Sequence, residues 1–397
     1  MTVRPRTPAA QSRLRAPGID RILMLAVVAL ITLGTLLVWS ATAHNDTLTG
    51  GDPTAYLKKQ LVNVCIGVVL MVVVMATDHR WVRIVAPLAY LASIGGLVLV
   101  LVAGTTVNGS RSWIDVGGMS IQPSEFAKLA VVIGMALLVA ERAEGRRLQV
   151  GGTEVVGMLV IAGLPAALIM LQPDLGTLLV LSATVFGVLA VAGAPRLWLG
   201  LLAAGGSVVA VAAFAGHLLK PYQVDRFLAF TNPNLDPRGA GYNTEQARIA
   251  VGNGGLFGQG LFHGSQTRNG FVPEQHTDFI FTVAGEELGL VGAGVLIALL
   301  GVVIWRALAI SAMSPDVFGR VAAAGIACWF GFQAFQNIGM CLGIMPVTGV
   351  PLPFVSYGGS SMFAGMLAIG LLQNIHLRAT AALPTRYARP MRHLVAR

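Results

Sequence analysis

The chain alternates long apolar runs with short polar breaks, and the runs have the length of a bilayer crossing. A membrane-spanning helix needs about 20 predominantly apolar residues. That window fits ten times, at 22–42, 61–77, 82–104, 125–140, 153–172, 174–193, 196–216, 280–305, 320–343 and 350–376. The fourth run is short, and the sixth follows the fifth almost without a loop. One excursion breaks this rhythm. Residues 217–280 carry Arg, Asp, Glu, Asn and His side chains, and the last acid, Asp278, stands directly before Phe279, Ile280 and Phe281. Loops beyond about 12–15 residues are usually functional or disordered, and the aromatic content of this one argues against disorder.

Composition turns the pattern into a class. Of the 397 residues 55% are hydrophobic and 11% charged, with a mean hydropathy of +0.73, a balance foreign to a soluble core. No Pro/Gly/Ser linker separates a second domain. The pattern therefore predicts an all-α integral membrane protein with about ten transmembrane helices and one large extracytoplasmic loop at about 217–280. An N-terminal tail at 1–20 and a C-terminal tail at 379–397 flank the membrane domain, 21–378.

Charge sets the orientation. With the N-terminus in the cytoplasm, most of the 27 basic residues fall on the inner side, including Arg4, Arg6, Arg13, Arg15, Arg80, Arg83, Arg146, Arg147, Arg306, Arg320, Arg386 and Arg389. This satisfies the positive-inside rule; an even helix count returns the C-terminus to the same side, and the long loop faces outward. The net charge of +9 is then mostly a topology signal. A nucleic-acid binder would gather its Arg on one surface with aromatic partners.

Several chemistries are excluded. There is no Gly-x-x-x-x-Gly-Lys-Ser/Thr loop for ATP, and the seven His lack the spacing of a zinc site. Gly252 to Gly258 only loosely resembles a dinucleotide fingerprint and reads better as tight turns. Cys65, Cys328 and Cys341 lie in apolar runs, which suits packing.

Polar groups at the outer edges carry the candidate chemistry. Arg111, Trp113 and Asp115 precede Gln122-Pro123-Ser124-Glu125-Phe126-Ala127-Lys128, where Pro123 suits a first helical turn and Ser124 or Gln122 a cap. Glu125 and Lys128 share a helix face. They either neutralise each other as an ion pair, or Lys128 joins Arg111 in attracting an anionic headgroup. Trp113 is a sugar platform or an interfacial anchor. Asp174, in Gln172-Pro173-Asp174, is expected to cap the next helix, with a direct substrate role as the alternative. Arg226, Arg238, Arg248 and Arg268 could grip phosphates, or pair with Asp225, Asp236 or Glu245. Asp278 fits a helix cap and a general base equally, since the falling dielectric there raises a carboxyl pKa. Glu286 and Glu287 point about 100° apart, so at most one can share the Asp278 cavity. Ser356, Gly358 and Gly359 suit a break at the outer end of the last helix. Gln333, Gln336 and Asn337 recur at helical spacing and could bond another helix.

These motifs, taken together in their order, resemble the SEDS family (shape, elongation, division and sporulation). The resemblance rests on Gln122–Lys128, Gln172–Thr177, Ile249–Gly258, Pro273–Phe281, Glu286–Gly289 and Pro353–Ser361, and covers about residues 20 to 378. The wording at Asn232–Pro237, Gly264–Thr267 and Pro346–Pro353 is closer to the elongation branch than to the division branch.

What the resemblance implies is a peptidoglycan glycosyltransferase of the bacterial plasma membrane. It would polymerise lipid II on the outer face beside a class B penicillin-binding protein, with membrane lipid around it and no nucleic-acid partner. Asp278 would be the essential carboxylate of the family, acting as general base. Substrate contacts would come from Arg111, Trp113, Glu125, Lys128, Arg226, Arg248 and His276. Asp174, Glu286, Glu287, Ser356, Gly358 and Gly359 would support the site. The expected site sets Asp278 against Arg111, Glu125 and Lys128 across a lipid-accessible groove. No dedicated metal site is expected; a divalent cation, Mg or Mn, could bridge Asp278 and pyrophosphate. The rival readings are a lipid II flippase whose path runs through Glu125, Lys128, Glu286 and Glu287, a division-type member of the same family, and a noncatalytic scaffold.

Overall fold

The structure, a computed structural model, describes residues 18–107, 110–117, 119–143, 150–216, 223, 224, 226, 230 and 239–387. In chain order they form α1 (Arg21–Thr42), α2 (Asp46–Thr49), α3 (Ala55–Ala76), α4 (His79–Ala103), β1 (Thr105–Val107), β2 (Ser110–Val116), β3 (Met119–Ile121) and α5 (Pro123–Ala143). There follow α6 (Gly152–Leu171), α7 (Leu175–Ala192), α8 (Arg196–Ala215), α9 (Ala240–Asn253), α10 (Ser265–Asn269), α11 (Ile280–Met313), α12 (Val317–Cys341) and α13 (Gly359–Tyr387). Ten of these helices are long and apolar enough to cross a membrane, and nine of the ten windows read from sequence fall within about six residues of them at the start.

The exception is the last. Its apolar run was expected from residue 350, but α13 starts at Gly359 and continues to Tyr387, past the expected domain edge. Pro346, Pro351 and Pro353 deny the preceding stretch a helical ladder. That stretch instead closes on itself and on its neighbours: Leu352 N–H donates to Ser356 Oγ (2.8 Å), and Tyr357 N–H to the His276 carbonyl (2.9 Å). The break anticipated at Ser356, Gly358 and Gly359 is where this segment turns into α13.

Burial ranks the helices. In α5, α12 and α13 between 72% and 83% of the spanning window is buried, whereas in α8 none is, so the first three form the centre and α8 rides on the periphery. One face is closed by α1, α11 and α13: Arg306 grips Asp20 Oδ2 (2.6 and 2.8 Å), while Gln373 bonds the Asp20 backbone through both amide atoms. The first and last spanning helices therefore begin and end on the same face, as an even number of crossings requires.

The opposite face carries the polar elements. The segment expected as a loop around Arg111 is an antiparallel three-stranded sheet, β1-β2-β3, pairing Val107 with Ser110 and Val116 with Met119. The intervening dipeptides, Asn108-Gly109 and Gly117-Gly118, are those that two-residue hairpins favour. At the start of α5, Pro123 takes the first helical position as expected. Neither proposed cap forms: Ser124 Oγ is buried and among the described residues has no hydrogen-bond partner, and the Gln122 side chain turns instead to Asp174 (3.1 Å).

Helix α11 is broken at Gly289, whose φ of +68° only glycine adopts readily. The freed backbone groups pair with the stretch 255–260: Gln259 and Gly260 donate to the Glu286 and Glu287 carbonyls (3.0 Å each), and Leu290 and Val291 donate to Gly255 and Leu256 (2.9 and 3.1 Å). Glu286 and Glu287 anchor the same segment through their side chains. Glu286 accepts from Gln266 and Thr267 N–H (2.7 and 2.9 Å), and Glu287 from Ser40 Oγ and Phe262 N–H (2.7 and 3.1 Å). Both are buried supports of the fold.

Candidate active site

The segment before α11 is wound around one carbonyl. Glu274, itself at a positive φ of 51°, accepts from the N–H groups of Thr277, Asp278 and Phe279 at 3.1 to 3.2 Å. On one side of this turn Gln275 Nε2 donates to the Ala41 and Thr267 carbonyls (2.8 Å each). The buried His276 ring sits edge-on to Tyr56 (centroids 5.0 Å apart) and beside Tyr357 (5.7 Å). On the other side Asn337 Nδ2, from α12, donates to both the Asp278 and the Val350 carbonyls at 2.7 Å. The backbone of Asp278 is thereby tied to the segment before α13. Gly349, at φ +70°, lies against its carboxylate, and a Cβ there would stand 3.2 Å from Oδ2.

The Asp278 side chain is left over. Among the described residues its carboxylate has no hydrogen-bond partner, and α11 starts at Ile280 without any side-chain cap. The cap reading is thus not realised. The carboxylate is half-buried and lines a pocket of about 170 Å³ with Trp113, Asp174, Arg226, Glu274, Thr277 and Thr348. Burial pushes its pKa up to about 7, helped by Glu274 and Asp174 and opposed by Arg226. A carboxyl near neutrality, unbonded and facing a pocket, is equipped to take a proton.

The remaining residues sort by position. Asp174 does both things considered for it: Oδ1 caps α7 by accepting from Thr177 N–H (3.0 Å), and the side chain also lines the pocket. Trp113 and Arg226 line it too. His276 does not; burial holds its pKa below the usual imidazole range, and it braces the tyrosines of the wall.

The grouping of Asp278 with Arg111, Glu125 and Lys128 is not what the fold brings together. Arg111 donates Nε and Nη2 to the Gly104 and Val102 carbonyls (2.8 and 3.0 Å), because the hairpin returns it to the end of α4. Lys128 is fully buried, bonded to Glu125 and to Gln333 at 2.7 Å each. Lys128 Nζ also lies over the Trp329 ring, 5.2 Å from its centroid. Arg248 is exposed on α9 and packs by Gly343, away from the pocket lining. Arg238, Asp225 and Asp236 lie outside the described residues.

Sequence reasoning passed over Glu274, Thr277, Thr348, Tyr357 and the role of Asn337. The first two are neighbours of Asp278 in its own motif, which was a usable signal. Among the described residues no group of three or more His, Cys, Asp or Glu side chains is placed to hold a metal ion. Removing the Asn337 donor, as in Asn337→Leu, leaves two buried carbonyls unpaired at about 1–3 kcal/mol each. The expected result is a clear drop in melting temperature together with a lower turnover, read by thermal unfolding and by product formation.

Ten helices long and apolar enough to cross a membrane, with a near-neutral carboxylate held at their polar face, are the plan of a polytopic membrane enzyme. The chain belongs to the FtsW/RodA/SpoVE family of cell cycle proteins, whose model matches residues 21–381. It is 39% identical over 365 residues to stage V sporulation protein E of Bacillus subtilis (90% of this chain, 96% of that protein). It is 38% identical over 362 residues to peptidoglycan glycosyltransferase MrdB of Escherichia coli (90% and 93%). Its fold is similar to a chain of a solved peptidoglycan synthase complex that coordinates polymerization and crosslinking, with a TM-score of 0.76 at 33% identity, covering 91% of this chain and 98% of that one.

Proposed function

We infer that this chain is a peptidoglycan glycosyltransferase that polymerises lipid II, and that it serves cell elongation beside a class B penicillin-binding protein. The observation that carries the reading is the Asp278 carboxylate, which among the described residues has no hydrogen-bond partner, is raised toward neutral pKa and opens to a pocket beside Trp113 and Arg226. The 4-hydroxyl of the acceptor GlcNAc attacks C1 of the donor MurNAc and gives its proton to Asp278. The new C–O bond forms as the bond from C1 to the pyrophosphate oxygen breaks, and the electron pair leaves with undecaprenyl pyrophosphate. One displacement inverts the anomeric carbon, so a single base suffices and no covalent intermediate is needed. Arg226 offers charge to the departing pyrophosphate, and Trp113 a face for a sugar ring. A divalent cation would enter as the counterion of the pyrophosphate, with Asp278 as a neighbouring oxygen ligand.

We place the site outside the cytoplasm and both termini inside, a reading that the Arg distribution and the even number of crossings support. The elongation role is supported by the wording of Gly264–Thr267 and Pro346–Pro353; the similar identities to a sporulation protein and to MrdB do not separate the branches. The partner is supported by the synthase complex that the fold resembles. Against the flippase reading stands the burial of Glu125, Lys128, Glu286 and Glu287, all engaged in internal bonds.

The purified protein in nanodiscs, given fluorescent lipid II with and without a class B penicillin-binding protein, should make glycan ladders. Lipid translocation without polymer would sink the polymerase reading. The base must be ionised, so the rate should climb with pH around about 7, and at one pH unit below that value about a tenth of the sites remain active. A flat profile from pH 5.5 to 8 (roughly the window of such a carboxyl) would remove Asp278 from that role.

A further inference from the structure

Two pyrophosphate-linked lipids must meet at this site, and their anions stand at different distances from the reaction. The pyrophosphate of the donor is on the reacting carbon, so it belongs in the Asp278 pocket with Arg226. The pyrophosphate of the acceptor lies a whole disaccharide away from its attacking hydroxyl. It needs cations that flank the pocket without lining it, and Arg111, Lys128 and Arg248 do not supply them there.

A second cavity does. It holds about 700 Å³ and shares a wall with the Asp278 pocket, made of Trp113, Glu274, Thr277, Tyr357 and Gly358. Lys58 and Lys59, from the N-terminal end of α3, line this larger cavity and not the smaller one. Neither ammonium is buried in the fold. Lys58 is 68% exposed and among the described residues pairs with the half-exposed Asp52 (2.8 Å), while Lys59 lies over the Tyr56 ring (5.0 Å to the centroid). Tyr56, Tyr357 and Trp113 give the cavity three aromatic faces. Its acids are Glu274, on the wall shared with Asp278, and Asp115, which accepts the Ser120 hydroxyl (2.6 Å). Beyond the lysines, α3 turns the apolar side chains Leu61, Val62 and Val69 outward, all about half exposed, which suits a lipid tail in the bilayer.

We propose that this cavity is the acceptor site: Lys58 and Lys59 hold the pyrophosphate of the incoming lipid II, and its disaccharide runs along Tyr56, Tyr357 and Trp113 to present the 4-hydroxyl to Asp278. The assignment rests on the lipid II reading above. Two ammonium groups suit a diphosphate as point charges, and the exposed Asp52 pair is weak enough to yield Lys58 to it.

The test uses the full chain in phosphatidylcholine nanodiscs with Asp278→Asn, so that bound lipid II is not consumed. K58Q/K59Q is expected to weaken lipid II binding about tenfold, while K58R/K59R keeps it within about threefold, because guanidinium still grips phosphate. With Asp278 present, K58Q/K59Q should raise the KM for lipid II more than it lowers kcat. Unchanged affinity in a K58Q/K59Q protein that melts like its parent overturns the assignment. So does equal competition by phosphatidylglycerol, which would make the lysines a general anionic-lipid contact. Absence of any glycan from the unsubstituted protein would instead overturn the polymerase reading, and that is a separate measurement.

Discussion

Asp278→Asn should lower glycan polymerisation from lipid II by about 10²–10⁴-fold, the usual worth of a positioned general base, while the protein folds as before. The substitution is close to isosteric. Among the described residues the carboxylate has no hydrogen bond to lose, and the backbone contacts that fix residue 278 run through its carbonyl and N–H, which Asn retains. Stability should, if anything, rise at alkaline pH. The folded-state pKa of Asp278 is raised to about 7, so above that value the fold holds an ionised group where charge is disfavoured, and below the ordinary carboxyl range the cost is gone. Asn carries no such cost at any pH. The measurement pairs a lipid II ladder assay with a melting curve at pH 8 (about one unit above the raised pKa). Full-length ladders from a well-folded Asp278→Asn protein would exclude the base role. A protein that fails to fold would instead point to a structural part for the carboxylate.

Much of this architecture was legible in the chain because its physics is local. A helix that crosses lipid must be apolar over its length, so the ten windows announce themselves, and an acid set against Phe279 and Ile280 is conspicuous for the same reason. The residues that resisted reading depend on where distant segments meet. Arg111 looked like an anion contact, yet the hairpin carries it back to carbonyls that end α4. Asn337 showed the spacing of a polar stripe, but nothing local says that its amide reaches Asp278, 59 positions away. Lys58 and Lys59 sit at an ordinary helix start, and only the packing of Tyr56 against His276 and Tyr357 puts them beside the site. The sheet was the avoidable omission, since Asn108-Gly109 and Gly117-Gly118 are hairpin signals in plain view.

Lys128→Met alone should cost about 3–5 kcal/mol, because it strands the Glu125 carboxylate in the centre of the bundle without its partner. Glu125 is 1% exposed, Lys128 is not exposed at all, and one oxygen of Glu125 already has no hydrogen bond, so water is poorly placed to replace the ammonium. Gln333 would lose a donor as well, although its Oε1 keeps Trp329 Nε1 (2.6 Å) and its Nε2 keeps the Pro351 carbonyl (2.9 Å). The single variant should therefore reach the membrane in low yield and melt early. Replacing both partners, Glu125→Leu with Lys128→Met, removes the stranded charge and should recover most of the lost stability, since an apolar pair of similar volume is often as good as a buried ion pair. The double variant also decides what the pair is for. Glycan ladders from a folded double variant would assign Lys128 to holding α5 against α12. A folded but inactive one would return Lys128 to the chemistry, and would require the bundle to open between α5 and α12 for substrate to reach it.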